Sequence, residues 1–268
     1  MRISVNDITV SYTDEGTNGA PALIFLHGFP LNKSMWNLQA KALEDDYRII
    51  TCDIRGHGNS GSGDQDFSIE LFMSDLIALM DALNIRKTAL CGLSMGGYIA
   101  LRAVEDYPER FDALILSDTT CIADTSEAKE KRMKAIESIK KSGMEQYAGE
   151  SIKNFFADES FTARVEEIAA VREMIVKTPE QSLSRTLLAL SVRKETCSKL
   201  PAIKIPALIL VGKEDKITPP SAAQFMHEKI KGSSLHIIEH AGHLSNLENP
   251  GEFNALLKKF MAVYKQTI

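Results

Sequence analysis

Serine, aspartate and histidine side chains together can make a nucleophile, and three segments of this chain offer them in settings that suit the task. Gly92-Leu-Ser-Met-Gly96 lies between an apolar, strand-like run ending at Cys91 and a stretch with helical periodicity from Met95 to Tyr107. A strand that turns abruptly into a helix forces its apex residue, here Ser94, toward strained dihedrals, and bulky neighbours two positions away would collide. Gly92 and Gly96 remove those collisions. The turn pushes the serine hydroxyl into the open, and the helix start adds a backbone N–H and a positive dipole end to stabilise developing negative charge. The chemistry this implies is nucleophilic attack on a carbonyl.

An unassisted serine is a poor nucleophile near neutral pH, so it needs a base, and the base needs an orienting acid. Ser234 to Glu239 reads as a short strand, followed by the loop His240-Ala-Gly-His-Leu-Ser245, which carries His243. Ile205 to Gly212 reads as a buried strand, and the loop Lys213 to Pro220 after it carries Asp215. The order Ser94, Asp215, His243 is unlike that of the chymotrypsin or subtilisin triads. His243 would take the serine proton while Asp215 holds its tautomer and stabilises the imidazolium, and an acyl-enzyme would then yield to water. Asp118, after the sixth strand, is the second candidate for the acid, and Glu214 is adjacent to the first.

These residues must be carried by a sheet whose loops share one edge. Ile3 to Val5 and Ile8 to Tyr12 alternate as a hairpin, and Ala22 to Leu26, Arg48 to Cys52, Thr88 to Cys91, Ala113 to Leu116, Ala207 to Val211 and Leu235 to Ile238 are short aliphatic runs. Amphipathic stretches at Ser68 to Leu83, Met95 to Tyr107, Ser221 to Ile230 and Pro250 to Tyr264 supply helical crossovers, so the fold class is α/β with an eight-stranded, mostly parallel sheet. Sites in such sheets lie outside the carboxyl ends of the strands. From Cys121 to about Lys199 the alternation stops, and helices are expected around 126–141, 144–156, 160–177 and 179–194, punctuated by Gly143 and Pro179. The expected organisation is a core of residues 1–121 and 200–268 with a helical lid of 122–199 inserted between them.

With Phe25-Leu-His-Gly-Phe-Pro30 and Cys52-Asp-Ile-Arg-Gly-His-Gly-Asn-Ser60 added to the serine turn and the Asp and His loops, the chain resembles α/β-hydrolase-fold serine hydrolases over nearly its whole length. The branch is that of small esterases, enol-lactonases and cofactor-free haloperoxidases. The runs Ala123 to Lys129 and Gly212 to Pro220 resemble proteins grouped with 3-oxoadipate enol-lactonases. The resemblance implies an oxyanion hole formed by the backbone N–H groups of Met95 and Phe29, with Gly28 leaving room for the carbonyl oxygen and Pro30 setting the backbone direction. It also implies that His27 organises its loop and that the His57 turn braces the site from below. A carboxylic-ester hydrolase of small esters or lactones follows, needing neither metal nor organic cofactor. C–C bond hydrolysis, perhydrolysis and a hydrolase-like ligand sensor working through a partner protein use the same residues and stay open at this point.

Composition narrows the partners. Apolar residues at 44% and charged residues at 25% are those of an ordinary globular protein, and a net charge of −5 disfavours nucleic acid and anionic membranes as targets. The N-terminal residues lack the pattern of a secretory signal and no run is long enough for a membrane span, so a cytoplasmic monomer or small homo-oligomer is the expectation. No Cys-x-x-Cys occurs, and Cys52, Cys91, Cys121 and Cys197 are expected as free thiols. His236 and His240 fall in a strand and loop, which does not put them on one face for a metal.

Overall fold

The computed structural model describes residues 1–17 and 19–265. Eight strands, β1 (Arg2–Val5), β2 (Ile8–Gly16), β3 (Ala22–Leu26), β4 (Arg48–Cys52), β5 (Thr88–Leu93), β6 (Phe111–Ser117), β7 (Ala207–Gly212) and β8 (Ser234–Ile238), form one sheet in the order β1-β2-β4-β3-β5-β6-β7-β8. The pairs β1–β2 and β2–β4 are antiparallel and every later pair is parallel, as the helical crossovers require. The carboxyl ends of β3, β5, β7 and β8 therefore open onto one edge.

Both faces of the sheet are covered, because successive side chains of a strand point to opposite sides. On β3, Ile24 and Leu26 face a core shared with α2 (Ile69–Ala82), α3 (Met95–Asp106) and α8 (Pro220–Lys229). Leu23 and Phe25 face a second core with Trp36, α1 (Asn37–Leu43) and α10 (Pro250–Lys265). The 3-10 turn at Lys33–Trp36 and α1 have no counterpart among the sequence-based helices, since seven residues are too short for a clear periodic signal.

Between β6 and β7 the chain leaves the sheet for α4 (Ser126–Phe155), α5 (Ser160–Ala163), α6 (Val165–Lys177) and α7 (Glu180–Val192). Helix α4 is broken at Gly143, whose φ of 79° interrupts the helical path, so it is two helices end to end at the expected division. Among the described residues no helix is long and apolar enough to cross a membrane.

One expectation is corrected. Cys121 and Cys197 are joined by a disulfide, and only Cys52 and Cys91 are free thiols, both buried. The insertion leaves and re-enters the sheet at neighbouring strands, so residues 76 positions apart come together with Cα atoms 4.9 Å apart, well within disulfide reach. The same neck is held by the Thr196 N–H on the Cys121 carbonyl at 2.9 Å and by Asp124, which pairs with both Arg132 and Arg193.

Candidate active site

Ser94 sits at the apex between β5 and α3 with φ of 52° and ψ of −113°, a conformation costly for a side-chain-bearing residue. Its neighbours explain how it is tolerated. A Cβ on Gly92 would collide with the Gly96 carbonyl, and one on Gly96 would collide with the Leu26 carbonyl of β3. Gly97, which the sequence reading did not single out, abuts Thr119 just as closely, and Thr119 donates from Oγ1 to the Ser94 carbonyl at 2.8 Å. Ser94 is 8% exposed, so a reacting group must leave water to reach it.

Asp215 and His243 meet. His243 Nδ1 lies 2.8 Å from Asp215 Oδ2, and both residues are buried. Asp215 Oδ1 accepts from the Ile217 and Thr218 N–H groups at 2.8 and 2.9 Å, while Thr218 Oγ1 donates to Oδ2 at 2.7 Å. With the carboxylate so oriented, Nδ1 carries the proton and Nε2 is left as the basic atom. Burial works against charge on both groups, but their attraction wins: Asp215 is held below the usual carboxylate range and His243 above its usual value.

The loop carrying His243 is fixed from two directions. Its N–H donates to the Phe155 carbonyl of α4 at 2.7 Å, and the Phe155 ring lies 6.0 Å from the imidazole. Glu248, buried in α9 (Ser245–Glu248), accepts from Gly242 N–H at 2.8 Å and Leu244 N–H at 3.3 Å with one oxygen. The other oxygen accepts from Ala157 N–H and Ser160 Oγ, each at 2.7 Å. One carboxylate thus ties the histidine loop to the helical insertion. Glu248 was not legible as a site residue. Thr218 had a local signal, since an Asp followed by a Thr three positions on is a common side-chain-capped turn.

Asp118, the other acid candidate, is elsewhere engaged. Oδ1 accepts from Gly212 N–H at 2.8 Å, and Oδ2 accepts from Ser117 Oγ at 2.7 Å and Ser245 Oγ at 2.5 Å. It pins β6 to the start of the Asp loop and the end of the His loop. Burial, reinforced by the Asp215 carboxylate, pushes its pKa up to about 7.

The loop after β3 reaches the serine: a Cβ on Gly28 would stand 3.5 Å from Ser94 Cβ, which places the Phe29 backbone beside the turn. Met95 is the first residue of α3, where helix N–H groups have no partner within the helix. His27 is committed to its loop. Its Nε2 accepts from Ile54 N–H at 2.9 Å, Nδ1 faces the Gly28 carbonyl at 2.9 Å, and burial lowers its pKa to about 4. His57 places Nδ1 3.0 Å from the Arg55 carbonyl and its ring edge-on to Phe29, centroids 5.9 Å apart. No group of three or more metal-ligating side chains occurs among the described residues.

A strained serine at a strand-to-helix turn, an Asp–His pair on neighbouring loops and a Gly-Phe loop beside the serine, all on one edge of a mostly parallel sheet, define the architecture of a hydrolase-type site. The alpha/beta hydrolase fold model matches residues 21–250, and the chain belongs to that family. It is 30% identical to 3-oxoadipate enol-lactonase 1 of Acinetobacter baylyi over 254 residues, covering 94% of this chain and 93% of that protein. Among solved structures, a thermophilic esterase from Thermogutta terrifontis, with malate bound, superposes with a TM-score of 0.94 at 33% identity, covering 99% of each chain. The enol-lactonase of Burkholderia xenovorans LB400 superposes with a TM-score of 0.92 at 25% identity, covering 98% of this chain and all of that one.

Proposed function

We propose that the protein is a carboxylic-ester hydrolase that cleaves small esters or lactones with Ser94 as nucleophile, His243 as general base and Asp215 as its orienting acid. The observation that carries this is the 2.8 Å Asp215–His243 hydrogen bond on the same sheet edge as the strained Ser94 turn. In this mechanism His243 Nε2 takes the Ser94 proton as Oγ bonds to the substrate carbonyl carbon. The carbonyl oxygen gains the negative charge and is held by the Phe29 and Met95 N–H groups. The imidazolium then returns its proton to the departing alkoxide, leaving an ester on Ser94. Water repeats the sequence, losing a proton to His243 and releasing the acid and free Ser94. The helical insertion serves as a lid that shapes the acyl pocket and excludes water. Support for esters and lactones comes from the names of the Acinetobacter, Burkholderia and Thermogutta relatives. The Cys121–Cys197 bond counts against a cytoplasmic location, because such bonds persist mainly in oxidising compartments.

The test is Ser94→Ala together with a fluorophosphonate. The variant is expected to lose hydrolysis of a small activated ester while keeping its thermal transition, and the reagent to label Ser94 alone in the parent. Retention of most of the activity by Ser94→Ala would end the assignment.

A further inference from the structure

We propose that Thr119 is a positioning residue for ester hydrolysis, whose hydroxyl aims and polarises the Met95 backbone N–H toward the carbonyl oxygen of the substrate. This rests on the Ser94 hydrolase reading and adds to it a side chain outside the triad. The connection runs through a single peptide. Thr119 Oγ1 donates to the Ser94 carbonyl at 2.8 Å, and that carbonyl belongs to the same peptide group as the Met95 N–H. The Ser94–Met95 peptide is trans, so its C=O and N–H lie in one plane and point in opposite directions. A donor that fixes the oxygen therefore fixes the line of the hydrogen. A hydrogen bond accepted at the oxygen also draws electrons from the nitrogen and strengthens the N–H as a donor, most of all where water is excluded. Ser94 is 8% exposed and Thr119 is buried.

Helix α3 holds this peptide by one bond of its own, from Tyr98 N–H to the Ser94 carbonyl at 3.1 Å. The Thr119 bond is a second one, and it comes from outside the helix. On the other side of the nucleophile, Ser94 N–H donates to the Ser117 carbonyl at 3.0 Å. The segment that ends β6 thus grips both peptides that flank Ser94. That segment is itself anchored. Asp118, between the two gripping residues, accepts from Gly212 N–H and Ser245 Oγ, and Cys121, two residues beyond Thr119, is bonded to Cys197.

Gly97 is an independent sign of the same fit. It lies inside α3 without a left-handed backbone, so neither helix propensity nor a turn calls for glycine at that position. A Cβ on Gly97 would collide with Oγ1, Cβ and Cγ2 of Thr119. The first turn of the helix keeps that space clear, and the threonine fills it with its hydroxyl on the Ser94 carbonyl.

The experiment compares the intact protein with Thr119→Ser, Thr119→Val and Thr119→Ala on 4-nitrophenyl butyrate. Serine keeps the hydroxyl, and valine keeps the shape without it. The Ser94 carbonyl retains the Tyr98 N–H in all three, so the thermal transition should be kept. In the valine and alanine variants kcat should fall about ten-fold or more with KM within about three-fold, while the serine variant stays within about three-fold of the parent in both. A second readout uses 1,1,1-trifluorohexan-2-one carrying ¹³C at its carbonyl. Ser94 Oγ bonds to that carbon, the serine proton passes to His243, and the former carbonyl oxygen becomes an oxyanion whose protonation is followed by the ¹³C shift against pH. Loss of the Thr119 hydroxyl should make that oxygen about ten-fold harder to deprotonate, whereas loosened packing alone would slow formation of the adduct and leave its titration in place. If Thr119→Val does not fold, the serine and alanine variants decide the matter between them. A kcat within about two-fold of the parent in the variants lacking the hydroxyl, a serine variant as slow as the alanine one, or an unmoved titration would overturn the role of Thr119 and leave the hydrolase reading intact. Absence of turnover in the parent, together with no labelling of Ser94 by fluorophosphonate, would sink the hydrolase reading and this inference with it.

Discussion

Replacing Asp118 with asparagine should make the protein more stable at alkaline pH while leaving catalysis standing. The carboxyl is fully buried and its pKa is raised from 3.8 to about 7, chiefly by burial and then by the Asp215 carboxylate. A folded-state pKa above the unfolded one means that the native protein holds the proton more tightly across that interval. The stability linked to it is complete below 3.8 and is lost as pH rises through about 7. A displacement of about three pH units corresponds to roughly 4 kcal/mol. Asparagine keeps the shape, can accept from Gly212 N–H with its carbonyl, and can donate its amide to the Ser117 and Ser245 oxygens that now face Oδ2. It cannot ionise. Between about pH 4 and about pH 8 the difference in unfolding free energy, variant minus parent, should therefore move by about 4 kcal/mol in the variant's favour, read from urea unfolding at both ends. Asp215→Asn is the contrasting arm, because the Asp215 pKa is lowered and its contribution is lost on acidification. That variant should also lose about 10⁴-fold in kcat through the wrong imidazole tautomer, against less than about ten-fold for Asp118→Asn. A difference between Asp118→Asn and parent that does not vary with pH would refute the assignment of a proton to Asp118, and a reversed ranking of kcat would make Asp118 the acid.

Glu248→Gln places an amide NH₂ either against the Gly242 and Leu244 N–H groups or against the Ala157 N–H and the Ser160 hydroxyl, leaving at least one buried N–H unmatched at about 1–3 kcal/mol. It should lower kcat about ten- to a hundred-fold with little change in KM and open the insertion to limited proteolysis, and unchanged kcat and protease resistance would show that the clasp does not position His243. On a neutral ester, kcat/KM should rise with pH through a value above 6.5, because the base must be neutral and the Asp215 carboxylate outweighs burial in holding the His243 pKa up. Asp215→Asn should move that limb to lower pH, and a limb lying well below 6.5 in the parent would exclude His243 as the base.

What the sequence made legible follows from how local each signal is. The strands appear because aliphatic runs bounded by turn residues have few other uses, and β2 was read too short because its outer half, Thr13 to Gly16, is polar yet pairs with β4. The serine turn is equally local, since Gly92, Ser94 and Gly96 sit within one turn of chain. Asp215 and Asp118 look alike in sequence, each a carboxylate just past a buried strand. They diverge only in space, where Asp215 is oriented by its own loop and faces His243, while Asp118 turns back, with φ of 44°, onto Gly212 and Ser245.

The elements that were missed are those whose partners lie far along the chain. Cys121 and Cys197 flank an excursion whose ends meet only because β6 and β7 are neighbours, and a rule based on Cys-x-x-Cys spacing cannot see such a pair. Glu248 draws its donors from residues 157 and 160 as well as 242 and 244, so nothing in its own helix announces it. Both belong to one mechanical arrangement. The disulfide closes the insertion at its neck, and the Glu248 carboxylate, with the His243 N–H on the Phe155 carbonyl, holds its far side to the histidine loop. An insertion fixed at those two places cannot shift without moving the loop that carries His243. In the proposed mechanism, substrate fit and the position of His243 are therefore coupled through one buried carboxylate, and the kcat of Glu248→Gln reads that coupling.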